Sequence, residues 1–336
     1  MMITSSGRFV LRLGAIFFFT LASCAAQSKA GSATARGTSS DVGPGPNVLA
    51  MDTIAQGRPS DWPFKKKIVT TAFAIRNLAQ VADIDHIEQG LPRELLRRLD
   101  QTQQFLTHSS PDLLSFTHEQ DTPSARLVQQ VAAEHDSQFV IAGIIRNADV
   151  QIGYQYLGFK RTAKRHLEVE IAVYDGLSGA LLAKHVVDKM AEDKGTIGRE
   201  KAFGSYAFYA TTYGQAISSL LNESVKLIAK DLESYPVMAK ILKVSNGQIV
   251  IDAGKTSAIT AGDLATVVAS SNELPTSGSS QSRHLVYGMP YINVGKIAII
   301  QAQQLFSVGE LAADVKPDEV KVGDFVRFDN VNMNKP

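Results

Sequence analysis

Few residues in this 336-residue chain have the types and spacing that chemistry demands. Gly254-Lys255-Thr256 invites a phosphate-loop reading, in which backbone N–H groups cradle phosphates and the lysine reaches them. That loop needs a glycine five positions before Gly254, where Ile249 stands, and a helix N-terminus that a hairpin end does not supply. The expectation is a β-turn with a solvated lysine. Asp83-Ile84-Asp85-His86 brings metal-ligand residue types together, yet a single cluster of this kind is more commonly a solvated loop or helix cap. The seven histidines include no pair at i, i+4 around a glutamate, as a zinc protease requires. No Gly-x-Ser-x-Gly elbow occurs, and the one cysteine, Cys24, lies near the N-terminus. Glu168 and Glu170 alternate along a strand-like stretch, where isolated carboxylates are ordinarily solvated. Lys65-Lys66-Lys67 lacks interleaved aromatics and reads as a solvent-facing charge cluster rather than a nucleic-acid contact. No catalytic, cofactor-binding or metal-binding residue is assigned.

Composition agrees with that silence. Lys and Arg number 34 against 33 Asp and Glu, and 44% of residues are hydrophobic, so the chain is neither a basic nucleic-acid binder nor a disordered tail. At roughly 150 residues per domain there is room for about two. Arg8 and Arg12 precede the apolar run Leu13–Leu21, and no acid occurs before Cys24. A membrane-spanning helix needs roughly 20 apolar residues and a secretory core about 7 to 15, so residues 1–23 are expected to be a signal peptide. Leu21-Ala22-Ser23-Cys24 resembles a bacterial lipobox, which would make Cys24 the site of lipidation; cleavage after Ala25 or Ala26 would instead discard it. Ala25 lacks the Asp that retains lipoproteins at the inner membrane, so a lipid would point to the outer one. Residues 1–23 hold two arginines and no acid, leaving 32 basic and 33 acidic residues in a body expected in the periplasm.

The elements that would position any site follow from periodicity. Residues 24–62, rich in Gly, Ser, Ala, Thr and Pro from residue 28 onward, are expected to form a flexible leader. Lys67–Ile75 and Phe105–Thr107 read as strands, Leu91–Leu99 as a helix with Pro92 in its first turn, and Asp121-Thr122-Pro123-Ser124 as the cap of a helix facing inward through Leu127, Val128, Val131 and Ala132. Phe139–Ile145 suits a strand buried on both faces; His166–Tyr174 and Leu181–Val187 pair around Asp175–Gly179; Ala207–Leu232 reads as one long helix. These elements make an α/β middle domain over 63–236, bounded by Pro236. Over 237–330 helical periodicity gives way to short strands, with an Asn246-Gly247 hairpin and a repeated template, Ile259–Leu264 and Val320–Phe325, built on Gly-Asp turns. The fold class expected is a two-layer α+β or α/β domain followed by a small all-β barrel or sandwich, with a mobile serine-rich loop at Ser270–Arg283.

Several segments, in order, resemble the flagellar assembly protein T family: Val81-Ala82-Asp83-Ile84-Asp85, Gly90–Leu99, Asp136–Gly143, Val173–Gly179, Val250–Gly254 and Gly262-Asp263. The resemblance implies a middle domain similar to the N-terminal domain of TolB-like proteins, then a small β-domain, and no catalysis. It implies a periplasmic part of the basal-body outer ring that supports stator assembly and motility. Partners would be other ring proteins, stator units and further copies of the chain, with no nucleic acid and no cofactor. Longer members carry a further N-terminal domain, whereas only leader-like sequence is expected before the first strand here. Asp83, Asp85, Arg93, Glu94, Arg97 and Arg98 are the candidate partner contacts, against the plain alternative of helix capping and a solvated face. The competing function is an envelope lipoprotein acting as a periplasmic adaptor that binds peptidoglycan or another protein. An envelope hydrolase would require a cleft of converging acids or histidines.

Overall fold

The computed structural model describes residues 64–114, 123–155, 160–192, 201–270 and 291–329. The expected signal peptide, the leader, Cys24 and most of the serine-rich loop lie outside them. A first unit of seven strands is laid out by β1 (Lys66–Ala72), β2 (Ala74–Ile75), β3 (Phe105–Leu113), β4 (Phe139–Asn147), β5 (Val150–Gln155), β6 (Lys160–Asp175) and β7 (Leu181–Glu192). Strand order is β3-β1-β4-β6-β5, with β2 extending beside β4 and β7 along β6. β1 is parallel to both β3 and β4, and β4, β5 and β7 all run antiparallel to β6.

Helices α1 (Ile87–Gln101) and α4 (Thr212–Glu233) cover one face of this sheet. Their stripes, Leu91, Leu95 and Leu99 with Tyr213, Ile217, Leu220, Ile228 and Leu232, share one core with Ile68, Ile141, Leu167, Val169, Ile171 and Val173. Helix α2 (Ala125–Glu134) lies on the opposite face, packing Val128, Val131 and Ala132 on Val69, Val140, Ala142 and Tyr174. A third, partial layer therefore replaces the two-layer expectation. The reason is topological: β3 and β4 flank β1 on opposite sides, and crossovers of one hand then deliver their helices to opposite faces.

Local chemistry accounts for the departures from the sequence reading. The helix around Leu91 begins at Ile87, so Pro92 sits in its second turn. Proline cannot donate to the Glu88 carbonyl. The Phe73 N–H, freed at the break between β1 and β2, donates to that carbonyl at 2.9 Å. The single helix expected over 207–232 is two: α3 (Tyr206–Tyr209), then α4, whose cap Thr211 accepts from the Gly214 N–H. A Cβ on Gly214 would stand 2.1 Å from the Phe208 carbonyl oxygen, so the bend requires glycine there.

The second part of the chain is a closed antiparallel barrel, β10-β11-β12-β9-β8-β13, from β8 (Val237–Ser245), β9 (Gln248–Ile251), β10 (Leu264–Ser270), β11 (Tyr291–Ala302), β12 (Ser307–Leu311) and β13 (Phe325–Phe328). The α+β body followed by an all-β unit is the layout expected, and closure makes the all-β unit a barrel. Asn246 and Gly247 both take positive φ in the tight turn between β8 and β9. The repeated template is structural: Asp263 and Asp324 accept from the N–H groups of Thr260 and Lys321, three residues back, around Gly262 (φ 95°) and Gly323 (φ 98°).

Sheet and barrel meet closely. Phe64, just before β1, lies inside the barrel core with its ring 5.1 Å from that of Phe328. Gln138 donates to the Pro236 carbonyl and accepts from the Met238 N–H, gripping the connection from both sides. Lys67 binds Asp136 at 2.6 Å and Asp252 at 3.4 Å. The lysine run is thus not a solvent-facing cluster: Lys66 is buried, Lys67 bridges the two parts, and Lys65 donates to Gln103. An extended strand turns alternate residues to opposite sides, so three in a row cannot share one aspect.

Candidate functional site

The six charged residues proposed as partner contacts are set out by the 3₁₀ turn Leu78–Val81 and helix α1. Asp83 is committed inward. Its carboxylate takes both terminal nitrogens of Arg165, at 2.5 and 2.8 Å, and Arg165 also donates to the Gln80 carbonyl. Arg165 is 1% exposed and its guanidinium lies 4.5 Å from the centre of the Tyr213 ring. Burial opposes the arginine charge, but the Asp83 hydrogen bond and the neighbouring charges outweigh it and hold the guanidinium more firmly protonated than usual. Burial pushes the Tyr213 hydroxyl up to about 12, against the pull of Arg165.

Glu94 and Arg98 tie α1 to the helices behind it. Glu94 accepts from Arg97 at 2.9 Å and from the Tyr209 hydroxyl at 3.1 Å; burial, then the Glu94 charge, raise that phenol to about 12. Arg98 donates to the Ser218 carbonyl and hydroxyl and to Asn222. Asp85, Arg93 and Arg97 are left exposed on the outer side. Together with Gln101, Asn222, Val225 and Lys226, Arg97 and Arg98 line a groove of about 430 Å³ between α1 and α4. Lys226 and Asn222 were missed from the sequence, because nothing in α4 alone says which helix lies beside it. The groove is a basic, polar surface suited to an acidic partner face.

The other sequence candidates resolve on geometry. The Gly254-Lys255-Thr256 turn spends its N–H groups internally, Lys255 and Thr256 donating to the Gln303 and Gln304 carbonyls. Around Asp83, Asp85 and His86, as elsewhere among the described residues, no group of three or more metal-type side chains assembles. Glu168 and Glu170 are not merely solvated. Glu170 is buried, 2.6 Å from Lys184 and 3.4 Å from Arg146, and Glu168 lies 3.7 Å from Arg146. Neighbouring strands supply cations that β6 alone does not reveal. Among the described residues no helix is long and apolar enough to cross a membrane.

Comparison with known proteins adds a likeness over part of the chain. Solved structures similar to part of this chain include a hypothetical protein from Chlamydia trachomatis (16% identity, 49% of this chain and 95% of that one, TM-score 0.35). They also include a protein from Xanthomonas campestris (9%, 52% and 90%, TM-score 0.33) and the PelC dodecamer from Paraburkholderia phytofirmans (10%, 51% and 89%, TM-score 0.32). No curated protein matches. The family model for the flagellar assembly protein T middle domain matches residues 60–192, a span that ends with the last residue of β7. Over residues 60–192, therefore, the chain is similar to the middle domain of flagellar assembly protein T.

Proposed function

We propose that this protein is a non-enzymatic structural component of the outer ring of the flagellar basal body, in the periplasm, where it supports ring and stator assembly and hence motility. The observation that carries this reading is the family match over residues 60–192, the family being one of flagellar assembly proteins. The groove between α1 and α4, with the outer residues Asp85, Arg93 and Arg97, is the surface through which it meets other ring proteins or further copies of itself. Ring interfaces need only modest pairwise affinity, since closure multiplies each contact. The α+β part plays the role of a domain similar to the N-terminal domain of TolB-like proteins. Residues 1–23 direct export, 24–62 form the leader, 63–236 and 237–330 are the two domains, and Cys24 is where a lipid would attach the chain to the outer membrane.

A deletion strain tests the reading. Swimming through soft agar should be lost, and basal bodies imaged with and without the protein should differ in outer-ring density. An Arg93→Glu/Arg97→Glu chain should be exported normally yet fail to restore motility. Normal swimming in the deletion strain would sink the proposal. Replacing Cys24 by Ala should release the protein from the membrane fraction, and unchanged fractionation would remove the lipid from the account.

A further inference from the structure

The carboxyl ends of the parallel strands β2 and β4 open onto a cleft of about 550 Å³, lined by Arg76, Asn77, Gln80, Arg146, Asn147 and Glu168. Its position follows from topology. The strands leading away from β1 run to opposite sides, and crevices outside the carboxyl ends of parallel strands at such a switch point are where open α/β sheets bind ligands. Ile75 is in register with Ile145, and the Arg76 N–H donates to the Ile145 carbonyl, so the next residues along the two strands are both arginines. Like charges side by side destabilise a sheet unless a counter-charge intervenes.

Among the described residues only one of the two has its counter-charge. Arg146 is faced by Glu168 and Glu170, and Lys184 also sits on Glu170, so those four charges cancel. Arg76 is exposed and has no ion pair or side-chain hydrogen bond among the described residues. The amides around it are oriented by the backbone. Asn77 accepts from the Ala79 N–H and Gln80 from the Ala148 N–H, both through their carbonyl oxygens. Each therefore keeps an amide NH₂, with no acceptor among the described residues, in the lining of the cleft. A surplus guanidinium beside two fixed amide donors is a set that accepts one anionic group through charge-assisted hydrogen bonds.

We propose that this cleft binds a small ligand through an oxyanion, a carboxylate or a phosphate, that Arg76 holds beside Arg146 with the Asn77 and Gln80 amides as further donors. The site stands apart from the groove between α1 and α4 and does not depend on the ring assignment. Calorimetric titration of the full-length protein at low ionic strength, with glucuronate, inorganic phosphate and uncharged glucose as probes, tests it. Saturable binding of glucuronate would mark a carboxylate ligand and of phosphate a phosphate ligand; glucose should show none. Arg76→Gln should weaken the bound anion at least about tenfold while leaving the melting temperature unchanged, because the side chain is exposed. Failure of both anions to bind, equal binding of glucose, or unaltered affinity in Arg76→Gln would overturn the proposal.

Discussion

Lys66 shows how a single buried charge sets a pH response. The side chain is 5% exposed at the first position of β1. Burial lowers its pKa from 10.5 to about 8, partly opposed by the charge of Glu233. Between those values the unfolded chain binds the extra proton and the folded one does not, so stability rises with pH across that window and levels off above it. Below it the folded state bears the full cost of a buried ammonium. Lys66→Met should therefore raise stability at neutral pH by on the order of 1–3 kcal/mol and abolish the rise between about 8 and 10.5. Urea unfolding of both proteins across that range checks it; parallel curves would show that the ammonium is already well accommodated.

Pro92 makes the corresponding case for an element. In an exposed helix interior a proline costs about 3 kcal/mol relative to alanine, so removing one ordinarily stabilises. Here the carbonyl that the proline orphans is satisfied from another element, the Phe73 N–H at the break between β1 and β2. Alanine at this position would bring a second donor to an occupied acceptor and leave part of the buried proline's volume empty. Pro92→Ala should then change stability by no more than about 1 kcal/mol, far short of the ordinary gain. A thermal melt decides the matter: a large increase in Tm would mean that the strand break does not depend on the helix.

At the scale of the molecule, Lys67 carries a charged contact between sheet and barrel. Asp252 is held above the usual carboxylate range by burial first, with Lys67 pulling its pKa down and Asp136 pushing it up. Lys67→Ala removes the cation and leaves two carboxylates facing one another. The folded-state pKa of Asp252 should rise further, and since the folded chain then holds the proton longer than the unfolded one, stability falls as pH rises through that window. The variant should lose about 2 kcal/mol near pH 7 and recover much of it near pH 4, with Phe64 and Gln138 still joining the two parts. Denaturant midpoints at the two pH values read this out, and a loss independent of pH would show that the carboxylates relax apart.

Sequence by itself determined what depends on near neighbours. The alternation Leu167, Val169, Ile171, Val173, the stripe Leu91, Leu95, Leu99, the Asn246-Gly247 turn and the paired Gly-Asp turns each follow from backbone periodicity or a glycine's freedom at positive φ. Only the tertiary structure decided what depends on which strand or helix lies alongside. It placed Arg165 on Asp83, 82 residues away, set Arg76 beside Arg146, spent Glu94 and Arg98 within the helical layer and drew Lys67 across to Asp252. It also split the long helix, because the clash at Gly214 arises from a carbonyl six residues back that a uniform helix would hold elsewhere. Charged side chains carry no periodic signature of their partners: an ion pair needs two groups within a few ångströms, and the chain brings those together only once the sheet has chosen its order.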